Sequence, residues 1–435
     1  MSTRGTPGHA VDVHIDGVPF YTFLQEQFDA AQDRIWGVIS FIEPNFTMPG
    51  GESFFDMVQR AALRGVEVRL LFWHNLNFPS HHLFNDTHEN RAMLYKRAPG
   101  VQVRWDHSPT KAHCHHQKAW LVDDTGMIGG MVMSHSTLAN RSHDPPNKHD
   151  IFCSYRGPLV AELEEHIALR WNHSRDPEEG SPFTTLETNA IILPENSDHA
   201  PAGDTRVALR RSIAPGLYGN EEGVTEIWED YREAIRRAER FIYIENQHPG
   251  EEAILGDLRA ALERGVEVLY VVPGEPMLAI IHERARYARV QQRQELPSRY
   301  TSTFRALTEL GDFDNFTLAK LVAREHEIYV HAKICIVDDC WMTIGSANLV
   351  DLSMCADHTE LNLSVYEDRA LILATLHDLL DEHTGQLDRS DERENTGVRY
   401  VREASALARE NAAASARGGV TRGHLRALDP KRYPL

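Results

Sequence analysis

The sequence predicts an α/β fold in which helices pack on mixed sheets, with the same arrangement built twice along the chain. Apolar runs typical of buried strands alternate with stretches typical of helices. The pattern His-x-Lys-x-x-x-x-Asp occurs at residues 116–123 and again at residues 331–338. A chain of 435 residues is long enough for two cores. The repeat therefore predicts two halves of similar structure.

The elements of the two halves correspond in order. Each half is predicted to run as strand, helix, strand, motif strand, glycine turn, strand and closing helix. The first helix of each half ends at an Arg-Gly pair, the order expected of a C-cap followed by a glycine. The matching segments are strands 34–41 and 240–246, pairs Arg64-Gly65 and Arg264-Gly265, turns 128–130 and 344–346, and closing helices 158–172 and 368–380.

These correspondences predict the domain boundaries. We assign a first lobe to residues 1–204, a second lobe to residues 205–390 and a polar, helical C-terminal tail to residues 391–435. An acidic, proline-containing stretch at 175–204 is predicted to link the lobes. Residues 277–321 have no counterpart in the first half, and we expect helices there, near the mouth of the site.

Composition and charge limit the partners. The net charge of −19 disfavours nucleic acid, because proteins that bind it usually present a basic face. We expect no signal peptide and no transmembrane helix, hence a cytoplasmic protein that meets a membrane only peripherally. The five cysteines are expected to be reduced, buried thiols. A duplicated chain completes its site by itself, which is compatible with a monomer.

The paired motifs predict phosphodiester chemistry. Such chemistry requires charge neutralisation, a nucleophile and a proton donor. Histidine suits the last two tasks and lysine the first. On a strand, His116 and Lys118 are two residues apart and share a face, as do His331 and Lys333. One histidine would form a phosphohistidine, while the other would protonate the leaving alcohol and then activate the acceptor.

Four carboxylates accompany the motifs. Asp150 and Glu360 occupy equivalent positions about thirty residues after each motif histidine, and we expect them to orient the imidazoles, as carboxylates do in catalytic triads. Asp123 and Asp338 end the motif strands. We expect these two to hold a loop or the backbone rather than to touch substrate.

The turn after each motif predicts further phosphate ligands. In the second half, Ser346 and Asn348 offer a hydroxyl and an amide. The first-half residue equivalent to Asn348 is Val132, which cannot donate a hydrogen bond. We expect Ser134 or Ser136 to substitute for it.

Other residues leave alternatives open. His113, His115 and His116 suggest a metal site, but no Cys/His cluster has zinc spacing, so we expect neither metal nor cofactor. Trp171 and Trp341 are predicted to be core residues rather than substrate stackers. Tyr243, Glu245 and Gln247 share a strand face that belongs either to the site wall or to the core, and we expect Trp73 and His248 to approach the site.

These residues resemble the phospholipase D superfamily, whose signature is the duplicated His-x-Lys motif. Segments 329–339 and 344–348 look like the second motif of the true phospholipases D, and 242–247 is similar to their preceding strand. The resemblance implies two α/β/α lobes related by a pseudo-twofold, with the site between them. It also implies ping-pong transfer with His116 as nucleophile and His331 as acid and base. No N-terminal calcium- or phosphoinositide-binding domain is expected.

The leading hypothesis is therefore a phospholipase D that hydrolyses or transfers glycerophospholipid headgroups. A phospholipid synthase of the cardiolipin or phosphatidylserine type would use the same chemistry. A nuclease is less favoured because the chain is acidic and has only seven lysines. A non-catalytic phosphate-binding protein is disfavoured by two intact sets of His, Lys and carboxylate.

Overall fold

The computed structural model describes residues 5–74, 84–107, 113–145, 147–174, 189–194, 198–291, 299–355, 357–385, 387 and 396–434. Within these ranges the chain forms two mixed sheets with helices on both faces, which confirms the predicted α/β fold. The most loop-like part of the expected linker, 178–182, lies outside the described residues.

The first half forms one mixed sheet. Its strands are β1 (Thr6–Ile15), β2 (Arg34–Ile39), β3 (Glu67–His74), β4 (Gln102–His107), β6 (Lys118–Val122), β7 (Thr125–Gly129) and β8 (Ile151–Arg156), while the two-residue β5 (Cys114–His115) pairs with the second half. Its helices are α1 (Gly17–Ala30), α2 (Phe54–Leu63), α3 (His88–Arg97) and α4 (Val160–His173). The order across the sheet is β4-β3-β2-β6-β7-β8-β1, in which β2, β3 and β4 run parallel and the remaining pairs antiparallel.

The second half repeats this plan. Its strands are β9 (Thr205–Ile213), β10 (Val224–Thr225), β11 (Phe241–Glu245), β12 (Glu267–Val271), β13 (Phe316–Ala323), β14 (His326–Ile328), β15 (Ile334–Val337), β16 (Trp341–Gly345), β17 (His358–Tyr366) and β18 (Leu425–Leu428). Its helices are α5 (Glu226–Arg237), α6 (Glu252–Glu263), α7 (Leu278–Gln291), α8 (Arg299–Leu310), α9 (Asp351–Met354), α10 (Arg369–Thr384) and α11 (Thr396–Ser415). The order β13-β12-β11-β15-β16-β17-β9 matches the first sheet strand for strand.

The two sheets meet along an edge. Strand β1 pairs with β9, and β5 pairs in parallel with β17. One apolar core underlies both sheets and is closed by α4, α10 and α11. Two further cores lie on the opposite faces, under α1–α3 in the first half and under α5–α8 in the second. This arrangement holds the two motif strands, β6 and β15, in one rigid frame.

Local signals in the sequence account for several element boundaries. Arg64 and Arg264 cap α2 and α6, and the following Gly65 and Gly265 have φ of +93° and +89°, a backbone conformation that favours glycine. Segment 277–321 contains α7 and α8, as expected, but the expectation that it has no counterpart in the first half is wrong in part, because its last residues enter β13, which corresponds to β4. No helix in the described ranges combines the length and apolar character needed to span a membrane.

One expectation about the cysteines is wrong in part. Cys114, Cys153 and Cys335 are buried free thiols, but Cys340 and Cys355 are exposed. Both exposed thiols lie at turns that follow apolar segments, Cys340 after β15 and Cys355 after α9. Their apolar neighbours in the sequence therefore did not predict their exposure.

Candidate active site

The two motif histidines sit in extended backbone immediately before their strands. Lys118 begins β6, and Lys333 directly precedes β15. Each ammonium folds back on the carbonyl of its own motif histidine: Lys118 Nζ donates to the oxygen of His116 at 2.5 Å, and Lys333 Nζ donates to that of His331. The charge of each lysine also acts on the imidazole of its own motif, Lys118 on His116 and Lys333 on His331.

Both predicted carboxylates contact the motif histidines, but in a crossed arrangement. Glu360, from the second half, accepts a hydrogen bond from Nδ1 of His116 at 3.0 Å. Asp150, from the first half, accepts one from Nδ1 of His331 at 2.6 Å. All four side chains are buried. Each Nδ1 is occupied by a carboxylate, which leaves each Nε2 free for chemistry.

Backbone pairing between the halves produces the crossing. The amide of His116 donates to the carbonyl of Thr359 at 3.1 Å, where β5 runs beside β17. The amide of His331 donates to the carbonyl of His149 at 2.8 Å. Each motif thus lies beside the residue that precedes the other half's carboxylate.

The two carboxylates have different surroundings. Glu360 also accepts from the hydroxyl of Ser346 at 2.5 Å. At the equivalent first-half position, a Cβ on Gly130 would lie 2.5 Å from Oδ1 of Asp150 and 3.0 Å from Cδ of Lys333, so no side chain fits there. The Ser346 hydroxyl, which the sequence predicts near the phosphate, is directed at Glu360 in the structure. Ser346 is fully buried and positions Glu360.

Burial and neighbouring charges shift the pKa values of these groups. Burial lowers the pKa of His116 to about 4, although Glu360 opposes the shift. Burial would raise the pKa of Glu360, but His116 and His358 hold it well below its usual range. Burial raises the pKa of Asp150 to about 7, and burial with nearby lysines depresses that of His331. Glu360 is thus an ionised partner for a neutral His116 imidazole near pH 7.

The lysines are equally affected. Burial lowers the pKa of Lys118 to about 8 and that of Lys333 to about 7. Lys333 Nζ also donates to Oε1 of Gln247 at 3.3 Å, which places Gln247 in the wall of the site. A bound anion would offset the desolvation and restore both positive charges.

A cavity of about 960 Å³ opens onto both histidines. Trp73 and His248 line it, as expected, and so does Asn348. The amide oxygen of Asn348 is buried and has no hydrogen-bond partner in the described structure. The other apolar and aromatic lining residues include Phe41, Ile42, Met133, Met277, Ile280, Phe304, Leu349, Val350 and Leu352.

The first-half side of the cavity contains a residue that sequence reasoning missed. Val132 lines the wall, and the Oγ atoms of Ser134 and Ser136 lie 2.6 Å apart beside it. Lys148 also lines the wall, and its positive charge acts on His331 and Asp150. A lysine two residues before the orienting carboxylate, in a chain with seven lysines, was the available signal.

Asp123 and Asp338 have the backbone role predicted for them. The carboxylate of Asp123 accepts from the amides of residues 32–34 at 2.9–3.0 Å. The carboxylate of Asp338 accepts from the amides of residues 239–241 at 2.5–2.8 Å. Each therefore ties the end of its motif strand to the start of the neighbouring strand.

The remaining sequence candidates separate into wall and core. Trp171, Trp341, Tyr243 and Glu245 are buried away from the cavity. Nδ1 of His113 contacts the carbonyl of Asp357 at 2.7 Å, and Nδ1 of His115 lies 3.3 Å from Oδ2 of Asp106, so the histidine triplet is divided among different partners. Groups close enough to share an ion occur elsewhere, at Asp16, His143, His149 and Glu382 and at His149, Glu245 and His383.

Comparisons with known proteins identify the family of the chain. The profile of the family described as "Cardiolipin synthase, PLD-like domain" matches residues 24–169 and 231–382, one stretch in each half. The chain is 26% identical to cardiolipin synthase A of Pseudomonas putida (strain W619) over 348 residues, which cover 78% of this chain and 61% of that protein. It is 23% identical to phospholipase D alpha 3 of Arabidopsis thaliana, covering 76% of this chain and 56% of that one. The chain thus spans less than two thirds of these relatives.

The fold has a close structural counterpart. The crystal structure of phosphatidylserine synthase from Haemophilus influenzae Rd KW20 superposes with a TM-score of 0.59 at 13% identity, covering 91% of this chain and 93% of that one. The two halves of the chain form the two-lobed, phospholipase D-like fold. The chain belongs to the phospholipase D superfamily.

Proposed function

We propose that this chain hydrolyses or transfers phosphatidyl groups through a covalent phosphohistidine on His116. One observation supports this most strongly. Two imidazoles, each with Nδ1 held by a buried carboxylate and each followed by a lysine, open onto a single apolar cavity. The relatives named above are phospholipid synthases and a phospholipase D.

The first step transfers the phosphatidyl group to the protein. Nε2 of His116 attacks phosphorus, and the bond from phosphorus to the headgroup oxygen breaks. The negative charge of the bound phosphate counters the lysine charges that depress the pKa of His331, and therefore favours its protonated form. Protonated Nε2 of His331 then donates its proton to the headgroup oxygen, so the headgroup leaves as a neutral alcohol. The ionised Glu360, which also accepts from Ser346, keeps the His116 proton on Nδ1 and supports its assignment as the nucleophile.

The second step returns the protein to its starting state. His331, now neutral, removes a proton from water or from an acceptor alcohol. The resulting oxygen attacks phosphorus, and the bond to Nε2 of His116 breaks. Water gives phosphatidic acid, and an alcohol gives a new phospholipid. The same site therefore supports hydrolysis and transfer, and acceptor access to the cavity decides between them.

Lysines would neutralise the phosphate charge, and an amide would add a hydrogen bond. Lys118 and Lys333 approach from the two halves with their charges beside the two imidazoles. Asn348 adds an amide from the second half. Lys148 lines the wall of the first half, where Val132 provides no donor. The non-bridging oxygens would thus be bound by the two motif lysines, by Asn348 on one side and by Lys148 on the other.

The cavity wall favours a lipid over a nucleic acid. Aromatic and aliphatic side chains dominate the described lining, which contains no arginine. Met277 and Leu278, at the start of α7, are 48% and 71% exposed, and Met277 also lines the cavity. Exposed apolar residues beside such an opening suit contact with a membrane surface. The chain's net charge of −19 further opposes a nuclease.

Product analysis tests this proposal. The protein would be incubated with phosphatidylcholine, phosphatidylethanolamine and phosphatidylglycerol, each with and without ethanol, and the lipids analysed by mass spectrometry. We expect phosphatidic acid without ethanol and phosphatidylethanol with it. If phosphatidylglycerol alone is converted to cardiolipin and glycerol, the synthase alternative holds. Failure to convert any lipid, together with salt-sensitive cleavage of single-stranded DNA, would replace the proposal with a nuclease.

Contact with the membrane can be tested separately. Replacing Leu278 by serine removes exposed apolar surface beside the cavity without changing its described lining. We expect a rate on vesicles that is lower by about 10- to 100-fold and an unchanged rate on monomeric short-chain lipid, because burial of one leucine contributes about 1.5–3 kcal/mol. Ile192→Ser, at a residue that is 90% exposed elsewhere, is the matched control. Equal vesicle rates for both variants would place membrane contact elsewhere.

A further inference from the structure

A second cluster of titratable side chains lies outside the cavity, where the two halves meet. Asp16 precedes α1, His143 and His149 lie in the loop before β8, and Glu382 is near the end of α10. All four side chains are buried. Each offers one ligand atom, and these atoms lie within 4.8 Å of one another.

The distances within the cluster match the edges of a coordination shell. Nε2 of His143 lies 3.1 Å from Oε1 of Glu382 and 3.4 Å from Oδ2 of Asp16. Nδ1 of His149 lies 3.0 Å from Oδ1 of Asp16 and 3.3 Å from Oε1 of Glu382. Zinc bonds of about 2.0 Å to nitrogen and oxygen give tetrahedral edges of about 3.3 Å. Small rotations of these side chains would bring all four ligands to bonding distance of one ion.

The charge of the region requires cations. Asp16, Glu382 and the adjacent Glu245 are three buried carboxylates, and no lysine or arginine pairs with them within the described ranges. Their described ionic partners are histidines alone. Buried carboxylates are costly unless positive charge compensates them. A divalent ion together with one imidazolium would balance the three negative charges.

The surroundings of the cluster also resemble those of a metal site. Nε2 of His149, turned away from the cluster, contacts Oε2 of Glu245 at 2.8 Å, and His383 contacts the other oxygen of Glu245 at 2.8 Å. Metal-bound histidines commonly donate their second N–H to such a carboxylate. Oδ2 of Asp16 is fully buried, points into the cluster and has no hydrogen-bond partner in the described structure.

We propose that Asp16, His143, His149 and Glu382 bind a divalent transition-metal ion, with zinc favoured by two imidazole and two carboxylate donors. Four protein ligands leave no position for substrate, so the site would be structural rather than catalytic. Sequence spacing did not reveal it, because the ligands come from three separate parts of the chain.

Metal binding would stabilise the backbone around Asp150, the carboxylate that orients His331. The carbonyl of His149 accepts from the amides of His331 and Ala332, and the amide of Asp16 donates to the carbonyl of Asp150 at 2.8 Å. An ion at the cluster would therefore fix the backbone that holds Asp150 against His331. It would also link Glu382 of the second half to the first half.

Metal content tests the proposal independently of enzymatic activity. The untagged full-length chain would be produced with zinc, dialysed against metal-free buffer and analysed by mass spectrometry for metals. We expect close to one zinc per chain and a rise in Tm when zinc is returned to chelator-treated protein. When Co²⁺ replaces zinc, we expect the visible absorption bands of four-coordinate, protein-bound Co²⁺. His143→Gln and Glu382→Gln should each lower the metal content at least about tenfold.

Two matched variants locate the ion. His424→Gln alters a ring that contacts His143 from outside the ligand set, at a centroid distance of 5.6 Å, and His331→Asn alters the cavity. Both should retain the metal. Loss of metal in His331→Asn with retention in His143→Gln would move the ion to the cavity and overturn the proposal. Folded wild-type protein that takes up neither zinc nor cobalt would overturn it too, whether or not the ligand variants fold.

Discussion

Replacing Glu360 by glutamine tests the orienting carboxylate with little change in shape. Glu360 is fully buried, accepts from Nδ1 of His116 at 3.0 Å and accepts from Ser346 at 2.5 Å. Glutamine removes the negative charge and can present an N–H to Nδ1. The imidazole would then carry its proton on Nε2 and could not attack phosphorus.

The size of the effect follows from the role of this contact. Loss of the equivalent carboxylate in a serine-protease triad lowers kcat about 10⁴-fold, because the wrong tautomer is held. We expect a fall of about 10³- to 10⁴-fold here, equivalent to about 4–5.5 kcal/mol of transition-state stabilisation. KM should change little, since Glu360 is not part of the described cavity lining.

The assay is the initial rate of headgroup release from a short-chain phospholipid, with thermal unfolding measured in parallel. Glu164→Gln is the control, since Glu164 is an equally buried carboxylate that pairs with Arg34 away from the cavity. That control should lose stability but keep kcat per folded molecule. A folded Glu360→Gln enzyme within tenfold of the wild-type kcat would refute the orienting role.

Three further predictions concern pH, a flanking cation and the backbone anchors. The pKa values of Lys118 and Lys333 are about 8 and about 7, so both lysines lose their charge as the pH rises. We therefore expect kcat/KM to decline above about pH 7–8. A pH profile that stays flat up to the usual lysine pKa of 10.5 would contradict this. Lys148→Gln should lower kcat/KM about 10- to 100-fold by removing a charge-assisted phosphate contact, while Lys320→Gln, paired with a glutamate outside the cavity, should not. Asp338→Ala orphans three backbone amides and should reduce the free energy of unfolding by about 3 kcal/mol in a denaturant titration, and a loss below about 1 kcal/mol would show that water replaces the carboxylate.

The features that sequence predicted are those encoded within each repeat. The i, i+2 spacing predicted a histidine and a lysine together at each motif strand, and similar offsets of 34 and 29 residues pointed to Asp150 and Glu360 as the carboxylates that contact the histidines. The aspartates that end the motif strands were also assigned correctly to the backbone. Local geometry decides these features, and local geometry follows from spacing.

Features that depend on contact between the halves were not predictable in this way. Matching offsets do not distinguish carboxylates that serve their own half from carboxylates exchanged between halves, and the pairing of β5 with β17 produces the exchange. The direction of the Ser346 hydroxyl depends on Glu360, which accepts its hydrogen bond, whereas Asp150 lies too close to Gly130 for a side chain there. Lys148 reaches the cavity through a loop whose path no periodicity specifies.

In the proposed mechanism, His116 carries the covalent phosphate while His331 moves protons. The direct measurement is to quench the enzyme during turnover of a short-chain phospholipid, digest it at alkaline pH to protect the phosphorus–nitrogen bond, and locate the adduct by mass spectrometry. We predict a phosphatidyl adduct on the peptide that contains His116. The adduct should accumulate further in a His331→Asn variant that is given a substrate whose leaving group needs no proton, because this variant lacks the base for the second step. An adduct on His331, or turnover that persists in His116→Ala, would contradict the claim.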